Sequence, residues 1–96
     1  MNNQEFESVL TKALTRTEQR MAERPDLTPL VSIQKQLEYL IKFNNKEADG
    51  SRLKDINFGL VAVREIENWD DELAALLHEI STEVRILIKA DELRNS

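Results

Sequence analysis

The sequence predicts an all-α fold, an antiparallel four-helix bundle, and three observations carry that expectation. Apolar side chains recur at three- and four-residue steps in four separate stretches, the period of one helix face. Only two glycines and two prolines punctuate 96 residues, so the chain encodes a few long elements rather than many turns. Hydrophobic residues make up 41% of the chain and charged residues 32%, with 5% aromatic, which suits an aliphatic core under a solvated helical surface. At this length, residues 1–96 read as a single domain.

The first stripe is Phe6, Leu10, Leu14, Thr17 and Met21, widened by Val9 and Ala13. Asn2, with Glu5 three residues on, forms a capping-box pattern at its start. Arg24-Pro25 ends it, because the residue before proline avoids the helical region. Thr28-Pro29 opens the second helix, with threonine as the cap and proline at the first position, where its missing N–H costs nothing. Leu30, Ile33, Leu37, Leu40 and Ile41 follow. Asn44-Asn45 and KEADGS form the longest loop, with Gly50 as the turn residue.

The third helix is expected from about Ser51 to Glu67, on Leu53, Ile56, Leu60, Val63 and Ile66. Gly59 in its middle costs about 1 kcal/mol relative to alanine and marks a close helix contact, a bend or a partner contact. INFGLVAV also has β-branched character, but a strand here has no second strand to pair with. The fourth helix is the clearest, on Leu73, Leu76, Leu77, Ile80, Val84, Leu87 and Ile88. Asp70, Asp71 and Glu72 meet the positive end of its dipole, and Lys89 and Arg94 the negative end. The short link at Asn68 makes helices three and four antiparallel neighbours.

Composition excludes several functions. Without cysteine there is neither a disulfide nor a thiolate metal site. MNNQEFES lacks the basic flank and apolar run of a secretory signal. No apolar stretch nears the roughly 20 residues that span a bilayer. A soluble, cytoplasmic protein with no membrane role is therefore expected. The net charge of −5 makes nucleic acid a poor partner, since that affinity comes mainly from neutralising phosphates. In residues 1–24 four basic and four acidic side chains cancel. In residues 64–79, Arg64 stands against Glu65, Glu67, Asp70, Asp71, Glu72 and Glu79, a balance equal to the charge of the whole chain. Such a field favours a basic protein partner and speeds its arrival.

A search for chemistry finds none. His78, the single histidine, lies beside the core stripe and has Ala75 three residues before it, so the Glu-x-x-His spacing of carboxylate-bridged metal bundles is missing. It reads as a partly buried structural histidine. Ser8, Ser32, Ser51 and Ser81 have no base at hand, and no glycine-rich phosphate loop exists. WDDELAALLHE lacks the alternating oxygen ligands and sixth-position glycine of a calcium loop. No catalytic residue, cofactor or metal is expected, and the protein is read as not an enzyme.

Trp69, the single tryptophan, stands in REIENWDDEL, where five of ten residues are carboxylates. In one explanation it precedes an Asp70 cap and folds over the first turn of helix four as a hydrophobic staple, beside Ile66 and Leu73. In the other its ring projects as an anchor for a partner, as tryptophan does at interface hot spots.

Two blocks, LVSIQKQLEYL at 30–40 and INFGLVAVREIENWDDELAALL at 56–77, resemble the small all-helical immunity proteins that protect bacteria from type VI secretion effectors of the NAD(P)+ glycohydrolase kind, the Tsi-type immunity family. The resemblance rests on the order and spacing of these motifs over roughly residues 4–90. Family members carry proline where this chain has Asp71, and both suit the first turn of a helix. The resemblance does not assign Trp69 and the full acidic run to the family as a whole. The resemblance implies a cognate toxin whose active site the protein blocks, without cofactor or reaction of its own.

The expected contact surface is the corner of Glu65, Glu67, Trp69, Asp70, Asp71 and Glu72, docked against a basic, dinucleotide-binding cleft. Gln34, Lys35, Glu38 and Tyr39 on helix two form a second candidate surface. The rival readings are a helical adaptor or regulator, including a homodimer, and a small enzyme or ligand carrier.

Overall fold

The computed structural model describes residues 1–58 and 62–94, and for 62 and 63 the backbone alone. The described residues form helix α1 (Asn3–Glu23), helix α2 (Pro29–Asn44), a 3-10 helix η1 (Gly50–Asp55), a short helix α3 (Ala62–Glu67) and helix α4 (Asp71–Arg94), with no strand among them. The all-α expectation holds, and the first, second and fourth helices stand where the apolar period put them.

The caps show why these helices begin and end where they do. Asn2 has extended backbone and its Oδ1 accepts the Glu5 N–H at 2.8 Å, which satisfies one of the free donors of the first turn. The Arg24 N–H closes α1 on the Arg20 carbonyl at 2.7 Å, just before Pro25. Thr28 departs from expectation: its backbone is already helical (φ −60°, ψ −30°) and its side chain makes no capping bond. The N–H groups of Leu30 and Val31 reach back to the carbonyls of Leu27 and Thr28, so a tight 3-10 turn starts α2 without a hydroxyl.

The far end of α2 holds a second correction. Asn45 N–H bonds the Ile41 carbonyl, Lys46 N–H the Phe43 carbonyl, and Glu47 N–H the Lys42 carbonyl, which is the Schellman pattern. The left-handed residue this pattern needs is Lys46, at φ 63°, and not Gly50. Gly50 instead begins η1, where an added Cβ would lie 3.3 Å from Leu53 Cδ1 and 3.4 Å from Phe43 Cε2. Its missing side chain lets these two apolar groups close together.

The single third helix expected over Ser51–Glu67 is, in the described residues, two separate pieces. Asp49 caps η1 through its carboxylate, which accepts the N–H and hydroxyl of Ser51. At Ile56 the backbone turns extended (φ −71°, ψ 118°). Gln36 of α2 then holds Asn57, accepting its N–H at 2.9 Å and donating to its Oδ1 at 3.1 Å. A side chain from another helix thus takes the bond that a continuing helix would have used. Leu53, Phe58 and Ile66 still bury themselves in the core. The readings of Gly59, Leu60 and the Val63 side chain fall outside the described residues.

Long-range bonds give the directions of the long helices. Asn44 near the end of α2 donates to the Asn3 carbonyl at the start of α1, and Gln34 donates to Glu18. Arg16 and Arg20, late in α1, reach Asp70 before α4, while the Met1 ammonium lies 3.4 Å from Glu83 deep in α4. Helices α2 and α4 therefore both run antiparallel to α1. Between them lie Phe6, Leu10 and Ala13 of α1, Leu30, Ile33, Leu37 and Leu40 of α2, and Leu73, Leu77, Ile80 and Val84 of α4. Thr17 is fully buried as well, its hydroxyl donating to the Ala13 carbonyl one turn back. Among the described residues no buried side-chain nitrogen or oxygen lacks a hydrogen-bond partner.

Lys46→Gly removes the cost of a left-handed Cβ while keeping the turn, at the expense of a freer unfolded chain. It is expected to stabilise the protein by about 0.5–1 kcal/mol, seen as a higher urea midpoint with an unchanged slope.

Candidate interaction surface

The α3–α4 corner is built around one buried carboxylate. The N–H groups of Trp69 and Asp70 both turn back to the Ile66 carbonyl, at 2.8 and 2.7 Å, and end α3. Asp70 then starts α4: its Oδ1 accepts the Leu73 N–H at 3.1 Å and its carbonyl accepts the Ala74 N–H. Arg16 Nε donates to Asp70 Oδ1 at 3.0 Å and to Oδ2 at 2.8 Å, and Arg20 Nε donates to Oδ2 at 2.7 Å. The two arginines stand one turn apart on α1, so their forks converge on one acceptor.

Asp70 is 4% exposed. Burial pushes its carboxyl pKa up, but the hydrogen bonds from Arg16, Arg20 and the Leu73 N–H overcome this and hold it at about 2. The residue is ionised, capped and enclosed. As a contact for a partner it offers no free oxygen, a correction to the surface read from sequence. Its charge is spent on joining α1 to α4.

Trp69, half-buried against the core, is covered from outside by the same helix. The Arg20 and Arg24 guanidinium carbons lie 5.6 and 5.7 Å from its ring centroid. Arg20 links the tryptophan to the acids: it is held by Asp70 and lies over the ring, while Arg24 covers the ring from its own pair with Asp26. Arg24 is itself tied to Asp26 at 3.0 Å.

The charge balance read from residues 64–79 alone overstates the field at this corner, because Arg16 and Arg20 of α1 and Arg24 just after it fold onto it. What stays outside is an outer acidic layer. Glu65, Glu67 and Asp71 are exposed and form no ion pair among the described residues. Glu72 meets Arg16 at 2.9 Å with its side chain still 69% exposed.

The α2 candidates do not join this patch. Gln34 reaches Glu18, and at 100° per residue Glu18 and the Arg16–Arg20 pair lie on opposite flanks of the buried face of α1. Lys35 and Glu38 are exposed. Tyr39 is engaged internally: its hydroxyl donates to the Asp49 carbonyl at 2.6 Å and accepts the Arg52 N–H at 3.2 Å, pinning η1 to α2. His78 is exposed rather than partly buried, a further correction, since it falls on the solvent side of α4. Among the described residues no group of His, Asp and Glu is placed to hold a metal, and no helix is long and apolar enough to cross a membrane.

The roles of Arg16 and Arg20 are the part that sequence reasoning missed. Their four-residue spacing along α1, on the edge of the Leu10–Ala13–Thr17 stripe, was the available signal.

Because the folded pKa of Asp70 lies below its unfolded value, its stabilisation is present above about pH 4 and fades as the pH falls towards 2. The lowered pKa corresponds to about 2 kcal/mol, so acid unfolding of the wild type should steepen in that window, whereas Asp70→Asn should lose the step. Asp70→Ala removes the cap as well and leaves two arginines facing each other. A loss of about 3 kcal/mol is expected in urea titrations at neutral pH.

No curated protein and no solved structure matches the chain. The family model Tsi6 matches residues 5–86, which takes in α1, α2, the Asp70 corner and most of α4. An all-helical chain matched over that span belongs to the Tsi6 family of type VI secretion immunity proteins.

Proposed function

We propose that this immunity protein binds a cognate effector toxin domain, an NAD(P)+ glycohydrolase, and covers its active site with the outer acidic layer of the α3–α4 corner. One observation carries the reading: Glu65, Glu67 and Asp71 stand exposed and, among the described residues, without ion pairs on a corner whose inner layer is fixed by Asp70, Arg16 and Arg20. A toxin that binds a dinucleotide presents positive groups for the pyrophosphate, and carboxylates compete for them through charge-assisted hydrogen bonds. Carboxylates held on a rigid frame lose little freedom on docking.

In this reading the protein is no enzyme, uses no cofactor and acts in the cytoplasm, where the nucleotide pool it protects is found. The η1–α3 limb serves as the fourth member of an antiparallel bundle, and Lys35 and Glu38 form a subsidiary surface. Asp70 and the inner face of Trp69 belong to the frame.

The test is protection of cells expressing the toxin, paired with binding measured on purified proteins. Glu65→Lys combined with Glu67→Lys should weaken binding about 10-fold or more, chiefly by slower association, and the effect should shrink as salt rises. Folding stability should change by less than about 0.5 kcal/mol, since both positions are exposed. Wild-type affinity and full protection in the double variant would place the contact elsewhere.

A further inference from the structure

We propose that α4 pairs antiparallel with α4 of a second copy of this chain, through a solvent-facing stripe centred on Thr82. From Thr82, steps of four, seven and eleven residues lead back to His78, Ala75 and Asp71, and forward to Ile86, Lys89 and Leu93. All of these residues are exposed. At 100° per residue they stay within one narrow sector of the helix, about 33 Å long. Arg16 meets Glu72 on one side of that sector and Lys54 meets Glu92 on the other, so neighbouring elements flank the stripe without covering it.

In a two-fold antiparallel contact centred on Thr82 each residue meets the one equally far on the other side, as on any helix face, so the side chains decide the pairing. Turning one copy over sets Thr82 against Thr82, His78 against Ile86, Ala75 against Lys89 and Asp71 against Leu93. Small Ala75 lets the Lys89 stem lie across it, with the ammonium one turn from Asp71 of the other copy. Neither Asp71 nor Lys89 has an ion pair within its own chain among the described residues. Antiparallel pairing brings the two signs together twice. Parallel pairing would set Asp71 against Asp71 and Lys89 against Lys89.

The apolar content points the same way. Ile86 is 56% exposed and Leu93 68% exposed, the two most exposed large hydrophobics described. Ile86 lies near the middle of the stripe, where His78 of the second copy covers it, while Leu93, opposite Asp71, stays at its outer end. Asp71 also belongs to the acidic corner, so self-pairing and toxin binding through Asp71 exclude one another.

Sedimentation equilibrium of the full chain, without toxin, over about 1 µM to 1 mM tests the pairing. The mass should rise from 11.1 kDa towards twice that value. Ile86→Asp should weaken pairing about 100-fold, because the change acts twice in a symmetric contact, while circular dichroism stays that of the wild type. Lys89→Asp should weaken it about 10-fold, and adding Asp71→Lys to that variant should restore it. Glu65→Lys with Glu67→Lys should pair as the wild type does, which separates this contact from the toxin-binding one. A mass of 11.1 kDa throughout, pairing unchanged by Ile86→Asp, or no recovery in the charge swap would each overturn the proposal.

Discussion

The contact on which the rest of this structure depends is the one between the Asp70 carboxylate and Arg16 and Arg20. It does three things with one acceptor. It caps α4 through the Leu73 N–H, ties α4 to the late turns of α1, and brings Arg20 over Trp69. A buried carboxylate is costly by itself, and here it is tolerated because both oxygens are engaged by charged donors. Such a group does more to select one arrangement than to add net stability. A slip of α1 against α4 by a single turn would leave Asp70 enclosed with half its partners, whereas an aliphatic contact would tolerate the slip.

Much of the fold was legible in the sequence because helices α1, α2 and α4 are governed by a local period and local caps. Asn2, Arg24-Pro25 and Pro29 mark ends that involve only neighbouring residues, and the stripes through Leu10, Leu37 and Leu77 lead straight to the core. The third segment was not legible in the same way. Its apolar residues keep a helical step, yet Gln36 in α2 claims Asn57, and the chain turns extended at Ile56. No window of sequence around Asn57 contains Gln36. Lys46 shows the same limit at a smaller scale: glycine is the residue preferred at a left-handed cap, but the Phe43, Leu53 and Gly50 packing fixes where Gly50 must be.

The candidate surface was half legible for a related reason. Counting charges along REIENWDDEL located the acidic corner, but a count along the chain cannot see which cations arrive from elsewhere. Arg16 and Arg20 of α1 reach Asp70 and Glu72, and among the described residues Glu65, Glu67 and Asp71 form no ion pair. The difference is one of depth. Asp70 points inward because the cap position directs its side chain at the helix end, and Asp71, one residue on, points outward.

If the outer layer is the toxin contact proposed above, this layering lets an immunity protein keep its fold while its specificity changes. The inner layer of Asp70, Arg16, Arg20 and Trp69 couples stability to residues that must vary together, because altering one strands a charge or uncovers the ring. The outer layer contributes little to folding, since exposed carboxylates without partners are nearly neutral for stability. In the proposed reading, substitutions there can follow a changing toxin surface without unfolding the frame that presents them. A chain whose binding groups doubled as its structural ion pairs would lose stability with each step of such a change. Separation of the two layers by a single helix cap removes that conflict, and it does so with two adjacent aspartates of opposite orientation.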